Sequence, residues 1–296
     1  MPFFDRLKSM FPAGRLHVSR RFALLRAAIS GSMSKFYMAK DLRTDQVVGL
    51  KILDVAKTHS FEGRFKGLDK PCEGEIAIQL EHPRIVETYE YGLTVEGSQY
   101  IVMEFLDGPD MNSLLVSRDA CLEGRRLRFI RQAAEAVRAV HAAGFIHRDV
   151  CPRNFMLTNN RADLKMIDFG LTVPATPGFM QPGNRTGSPN YMAPELVRRR
   201  ATDQRLDVFA FGVTAYEFCT FRLPWLRGTT GMAAMSHTLP PTDIRQYRPQ
   251  IHPLLAEAIH ACIEPEVSRR CPSIEAFLKI IRSVAHEDAG HPSDAG

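Results

Sequence analysis

The chain changes character at Asp107. Before it, short runs such as FYMAKD, VVGLKIL and QYIVMEF are rich in β-branched and aromatic residues and broken by turns, which reads as strands. One helical stretch interrupts them, around Glu73 to Leu80. After Asp107 the periods become helical. RRLRFIRQAAEAVRAVHAAG sets Leu127, Ile130, Ala134, Val137 and His141 on one face, and Gly144 is placed to stop it. LDVFAFGVTAYEFC is apolar on nearly every face, as a helix in the middle of a core would be. SIEAFLKIIRSV follows, with Ser273 as N-cap. Strands first and helices second predict an α+β fold in two lobes, residues 19–106 and 107–286. They are flanked by an extension over 1–18 and a disordered polar tail over 287–296.

At 296 residues the chain is long enough for two lobes around a cleft. The formal charge of +5 is modest, and the arginine runs, including Arg198-Arg199-Arg200, are dispersed. They read as solvated surface and not as the concentrated face of a nucleic-acid binder. Six cysteines show no CxxC spacing, which suits a reducing cytoplasm. No run approaches the roughly 18 to 20 apolar residues of a membrane span. Phe3, Phe4, Leu7 and Phe11 recur near helical spacing, so the extension reads as a short amphipathic helix. It packs on its own domain, or docks to a partner or a membrane surface.

The chemistry concentrates in HRDVCPRNF, residues 147–155. Asp149 follows the helix that Gly144 ends and so lies on a loop, whereas Asp168 follows LKMI at a strand end. FML and LKMI read as a hairpin turned by TNNRAD, which would set Asn154 beside Asp168. Two hard oxygen ligands suit Mg²⁺, which keeps several waters and takes substrate phosphates at its remaining positions.

These residues resemble the protein kinase signature set. HRDVCPRN resembles the catalytic loop, IDFG the magnesium-binding motif and MAPE the end of the activation segment. VVGLKIL resembles the VAIK strand, and VMEFLDG the connection between lobes. The motifs occur in the required order over roughly residues 20 to 285.

The resemblance implies an ATP- and Mg²⁺-dependent enzyme acting on protein hydroxyls, with a role for each matched position. Asp149 would orient the substrate hydroxyl, and Asn154 and Asp168 would hold the metal. Lys51 would bind the α- and β-phosphates, steadied by a glutamate. Glu73 shares a helix face with Ile76, Ala77 and Leu80, and Glu75 lies about 200° away, so the core-facing stripe selects Glu73. Pro71 and Gly74 imply that this helix is short, with the ion pair forming only in an activated state. Glu104 and Leu106 would offer backbone hydrogen bonds to the base, with Met103 behind it and Met156 below. Asp207 would brace the catalytic loop, and Glu195 would pair with Arg270.

Four departures matter. Of the three phosphate-loop glycines only Gly31 remains, with Ile29 and Ser34 at the other positions and serines at 30, 32 and 34. Phe36 stands where the family has valine and Gly49 where it has alanine, a pair that reads as compensated packing against the base. Cys151 replaces a lysine, and Arg153 takes over its charge with a bidentate fork. Cys151 itself reads as inert filling in preference to a redox switch. Finally, GSPNYMAPE resembles the serine/threonine-type segment, with Ser188 supporting Asp149, although CPRN is closer to the tyrosine-kinase loop. Arg148 beside Asp149 implies control by phosphorylation, with Thr176 and Thr186 as candidates. Two rivals remain: a nucleotide- or partner-binding pseudokinase scaffold, and a small-molecule kinase.

Overall fold

The computed structural model describes residues 15–26, 29–30, 33–65, 67–183, 185–225, 237 and 239–289; of Ile29 and Ser30 it describes the backbone. The amphipathic pattern of residues 3–11 and the glycine at Gly31 therefore lie outside the described residues. The chain divides into two compact units, 1–107 and 108–296.

The first unit is built on a six-stranded antiparallel sheet: β1 (Phe22–Leu24), β2 (Ile29–Ser30), β3 (Ser34–Asp41), β4 (Gln46–Leu53), β5 (Thr88–Leu93) and β6 (Gln99–Glu104). Its order is β1-β3-β4-β6-β5, with β2 also paired to β3. One face is closed by the residues that lead into it. Leu16, Val18 and Phe22 pack on Ala39, Val48, Leu50, Tyr100 and Val102. Leu16 also joins the sheet edge, its N–H donating to Leu93 O at 2.8 Å and its carbonyl accepting Val95 N–H at 3.0 Å. Helix α1 (Val18–Arg21) tucks Arg21 inward, where it pairs with Asp41 and Glu90, each at 2.8 Å. The last residues assigned to the extension are thus part of this unit's packing.

Two helices complete the unit. The α3 helix is Glu73–Ala77, shorter than the stretch to Leu80 that its pattern suggests. Gly74 explains its placement: a Cβ there would lie 2.3 Å from Tyr91 Cβ, so only glycine lets this helix rest on β5. The α2 helix, Val55–Glu62, was not legible, because only Thr58 and Phe61 of its eight residues are buried. Its signal was the cap, Asp54, whose carboxylate accepts the Lys57 N–H.

The second unit is mainly helical: α4 (Met111–Ser117), α5 (Arg126–Ala142), α6 (Pro194–Val197), α7 (Arg205–Thr220), α8 (Pro253–Cys262) and α9 (Ile274–Ile280). In α5 the predicted stripe is buried at Leu127, Ile130, Ala134 and Val137, and Gly144 follows with φ +83°. Every residue of α7 from Leu206 to Thr220 is buried, as an all-round apolar helix requires. Ser273 caps α9 by accepting the Ala276 N–H. Two short two-stranded sheets complete the unit, β7 (Phe145–Ile146) with β10 (Val173–Pro174), and the hairpin β8 (Phe155–Thr158) with β9 (Asp163–Met166).

The expected disordered tail needs correcting at its start. Glu287 is buried, and its carboxylate accepts the backbone N–H groups of Gly124, Arg126 and Leu127 and the guanidinium groups of Arg126 and Arg248. Arg125, at the N-cap position of α5, supplies no capping side chain. A carboxylate from far along the chain fills that place and meets the positive end of the helix. Asp288 pairs with Arg248 at 2.8 Å.

Candidate active site

The first unit holds a buried charged pair and, on the neighbouring strand, an aromatic ring. Lys51 points from the middle of β4, and its Nζ meets Glu73 Oε1 at 2.5 Å, with both residues buried. Glu75 on the same short helix is exposed, so the face argument holds. The pair that the sequence assigned to an activated state is formed in this structure. On the neighbouring strand Phe36 lies opposite Lys51 in register and leans over Gly49. A Cβ on residue 49 would sit 2.8 Å from the Phe36 ring and 3.1 Å from Met103 Cγ. The ring occupies the space that an alanine would need, so the large-for-small exchange is one packing unit. Phe105 stacks on Phe36 with centroids 6.5 Å apart. Glu104 closes β6, and Leu106 follows, buried.

In the second unit the residues converge on Asp149. Its Oδ1 accepts the Ser188 N–H at 2.8 Å and the Ser188 hydroxyl at 2.7 Å. The Asn154 amide donates to its Oδ2 at 3.0 Å and to its carbonyl at 2.7 Å. Arg153 donates to the Ser188 oxygen at 2.8 Å, so a cation, a hydroxyl and the carboxylate stand in one hydrogen-bonded line. These hydrogen bonds fix the orientation of the carboxylate.

Cys151 lies beneath this line, 3.6 Å from Ser188 Oγ and buried. Burial and the charge of Asp149 push its thiol up to about 11. A thiol so protonated and enclosed is a poor nucleophile, which accords with inert filling.

Asp207 supports the loop from below. Fully buried in α7, it accepts the N–H groups of His147 and Arg148 at 2.7 and 2.8 Å and contacts His141 Nε2 at 2.9 Å. Burial alone would raise its pKa, but the hydrogen bond and charge of His141, with the loop N–H groups, hold it low. His141 was read as part of a helix face, and nothing in its spacing marked it as a partner of Asp207. Glu195 and Arg270 form a buried bidentate pair at 2.7 and 2.9 Å.

The β8–β9 hairpin lies between the two residues expected to offer oxygen ligands, Asn154 and Asp168. The Ile167 N–H donates to Asn154 O at 2.8 Å, and Asp168 follows directly, exposed, with φ +65°. Its Oδ1 accepts the Gly170 N–H at 3.1 Å. The Asn154 NH₂ is turned to Asp149, which leaves its amide oxygen and the Asp168 carboxylate as a donor set of the kind that could hold a magnesium ion taking its other ligands from phosphate and water. Among the described residues no group of three or more His, Cys, Asp or Glu side chains forms a metal cage of its own. Met156 on β8 is half-buried and bridges to Asp110. Gly108 was read only as part of a motif. A Cβ there would lie 2.0 Å from Leu157 O, so this crossing admits only glycine.

The two candidate phosphorylation sites separate. Thr176 is exposed, whereas Thr186 is buried and its hydroxyl makes no hydrogen bond among the described residues.

An antiparallel sheet bearing a Lys–Glu pair, followed by a helical unit bearing this aspartate loop, defines a protein kinase domain. A profile of the protein kinase domain matches residues 28–280. The chain is 30% identical over 270 residues to the serine/threonine-protein kinase pkn3 of Myxococcus xanthus, covering 87% of this chain and 48% of that one. It is 33% identical over 229 residues to the serine/threonine-protein kinase PknB of Mycolicibacterium smegmatis, covering 75% and 36%. For the serine/threonine-protein kinase PrkC of Bacillus subtilis the identity is 28% over 223 residues, covering 74% and 33%. The chain thus spans about half or less of the length of these relatives. It belongs to the protein kinase family. Among the described residues no helix is long and apolar enough to cross a membrane.

Proposed function

We propose that this chain is a catalytically competent kinase that transfers the γ-phosphoryl group of ATP to serine or threonine hydroxyls of proteins. The observation that carries the reading is the line Arg153–Ser188–Asp149, with Asn154 on the other carboxylate oxygen. A scaffold has no need of an aspartate held at both oxygens, whereas transfer needs one aimed at the incoming hydroxyl. Asp149 receives the proton of that hydroxyl as its oxygen bonds to the γ-phosphorus and ADP departs. Arg153 sets positive charge where negative charge gathers on the transferring group. Lys51, steadied by Glu73, holds the α- and β-phosphates. Asn154 and Asp168 would hold Mg²⁺, which neutralises phosphate charge when bound. Phe36, Gly49, Met103, Glu104, Leu106, Met156 and Gly31 would contact the nucleotide.

Ser188 in the GSPNYMAPE segment, and the likeness to bacterial serine/threonine-protein kinases, favour serine and threonine over tyrosine. Thr176 is the candidate for regulatory phosphorylation. Six free cysteines suit a cytoplasmic setting.

The retention of only Gly31 in the phosphate loop favours the second reading, a nucleotide-binding scaffold. Labelled ATP and Mg²⁺ with wild type, Asp149→Ala and Asp168→Ala decide between the two. Transfer to a generic protein acceptor by wild type alone, on serine or threonine, supports the kinase. Nucleotide binding without transfer overturns it.

A further inference from the structure

The arginine run at 198–200, dispersed surface charge by its sequence, has a specific setting in the fold. It follows α6, two residues beyond the GSPNYMAPE segment, and all three residues are exposed. The turn is a Schellman motif, with Arg200 N–H donating to Glu195 O at 2.9 Å and Arg199 N–H to Leu196 O at 3.1 Å. Its left-handed residue is Arg199, at φ +54°. Glycine is the usual residue there because a Cβ is strained in that conformation. The chain therefore keeps a charge where the backbone asks for none.

Arg198 and Arg200 line a cavity of about 290 Å³ with Asp203, Arg205, Glu266 and Val267. The other carboxylates there are already engaged: Glu195 by Arg270, and Asp203 by Arg205 at 2.7 Å. Glu266 is the one lining acid with no cation on it among the described residues. The side chains of Arg198, Arg199 and Arg200 make no hydrogen bond or ion pair among the described residues. Arg198 and Arg200 in the cavity, with Arg199 exposed on the same turn, stand against one carboxylate that carries no cation, so positive charge is in excess. Adjacent like charges repel and the turn is strained, and no contact among the described residues offsets either cost. A local rule broken without internal compensation points to something outside the chain.

We propose that this surface docks an acidic stretch of the protein substrate, the carboxylates seating on Arg198, Arg199 and Arg200. Carboxylate is the chemistry the arginine fork matches. A protein substrate is the partner that the kinase reading above, on which this step rests, brings to Asp149, and the segment that leads into α6 touches that carboxylate through Ser188. Nucleic acid would need a longer basic track than one turn supplies.

Direct binding tests the surface without ATP, so its failure is distinguishable from failure of the kinase reading. The probes are a fluorescein-labelled serine peptide flanked by aspartates and its asparagine counterpart, followed by anisotropy at low and high salt. Wild type should prefer the acidic peptide by about tenfold at low salt, with the preference fading at high salt. Arg198→Ser/Arg199→Ser/Arg200→Ser should abolish it. The single variant Arg199→Gly relieves the strained turn, so it should melt at or above the wild-type temperature while binding the acidic peptide more weakly. Equal binding of the two peptides, full affinity in the triple variant, or stronger capture of a DNA duplex or anionic vesicles would overturn the proposal. So would transfer to both peptides with equal KM.

Discussion

Arg153 and Ser188, 35 positions apart, are joined by a 2.8 Å hydrogen bond whose acceptor is the same hydroxyl that donates to Asp149. The cation that many kinases carry two residues after this aspartate is here four residues after it. It nevertheless reaches the carboxylate's immediate partner. The lysine position became a buried thiol without removing charge from the site.

Arg153→Ala should lower kcat by about 10²-fold, the scale of losing one charge-stabilising donor. Cys151→Ala should change it less than threefold, by rough estimate from its uncharged thiol. Steady-state assays on a peptide substrate compare the two, and equal losses would contradict the assignment.

Phe36 and Gly49 should behave as one unit. Gly49→Ala alone forces its methyl into the Phe36 ring and should cost about 1–3 kcal/mol of stability while raising KM for ATP. Phe36→Val with Gly49→Ala should recover most of that loss, a non-additivity visible in melting temperatures alone.

Glu287→Ala should destabilise by about 3 kcal/mol. It strands the guanidinium groups of Arg126 and Arg248 in a buried place and uncaps α5. Urea titration measures it. A loss below about 0.5 kcal/mol would mean that this carboxylate is no more than a surface pair.

Two buried thiols, Cys151 and Cys219, make stability fall in alkali. Burial raises Cys151 to about 11 and Cys219 to about 12 in the folded chain, against about 8.5 when unfolded. Above pH 8.5 the unfolded state sheds protons that the folded state retains, so stability declines from there through each folded-state pKa. Cys219→Ala should flatten this decline by up to about 1.4 kcal/mol per pH unit between pH 9 and 11. Chemical denaturation at stepped pH shows whether it does.

What could be read from the chain was what depends on local period and order. The strand around Lys51, the stripe of α5, the hairpin at 155–166 and the choice of Glu73 over Glu75 all follow from which faces must be apolar. What escaped depends on distant partners. Gly74 looked like a weak point of its helix until Tyr91 came to lie against it. His141 gave no sign of Asp207, 66 residues on, and α2 buries too little to show a period. Glu287 sat in a polar stretch whose composition reads as solvent-exposed, because its binding site is assembled from residues more than 30 positions away.

The anchorage of Glu287 carries a mechanical corollary. The helix it caps spans 17 residues, about 25 Å at 1.5 Å per residue, and its far end runs through Gly144 into the loop bearing Asp149. Tension on the chain beyond Asp288 would be felt first at the opposite end of this rod from the catalytic loop. The rod gives out where Asp207, itself in contact with His141, grips the loop through the His147 and Arg148 N–H groups.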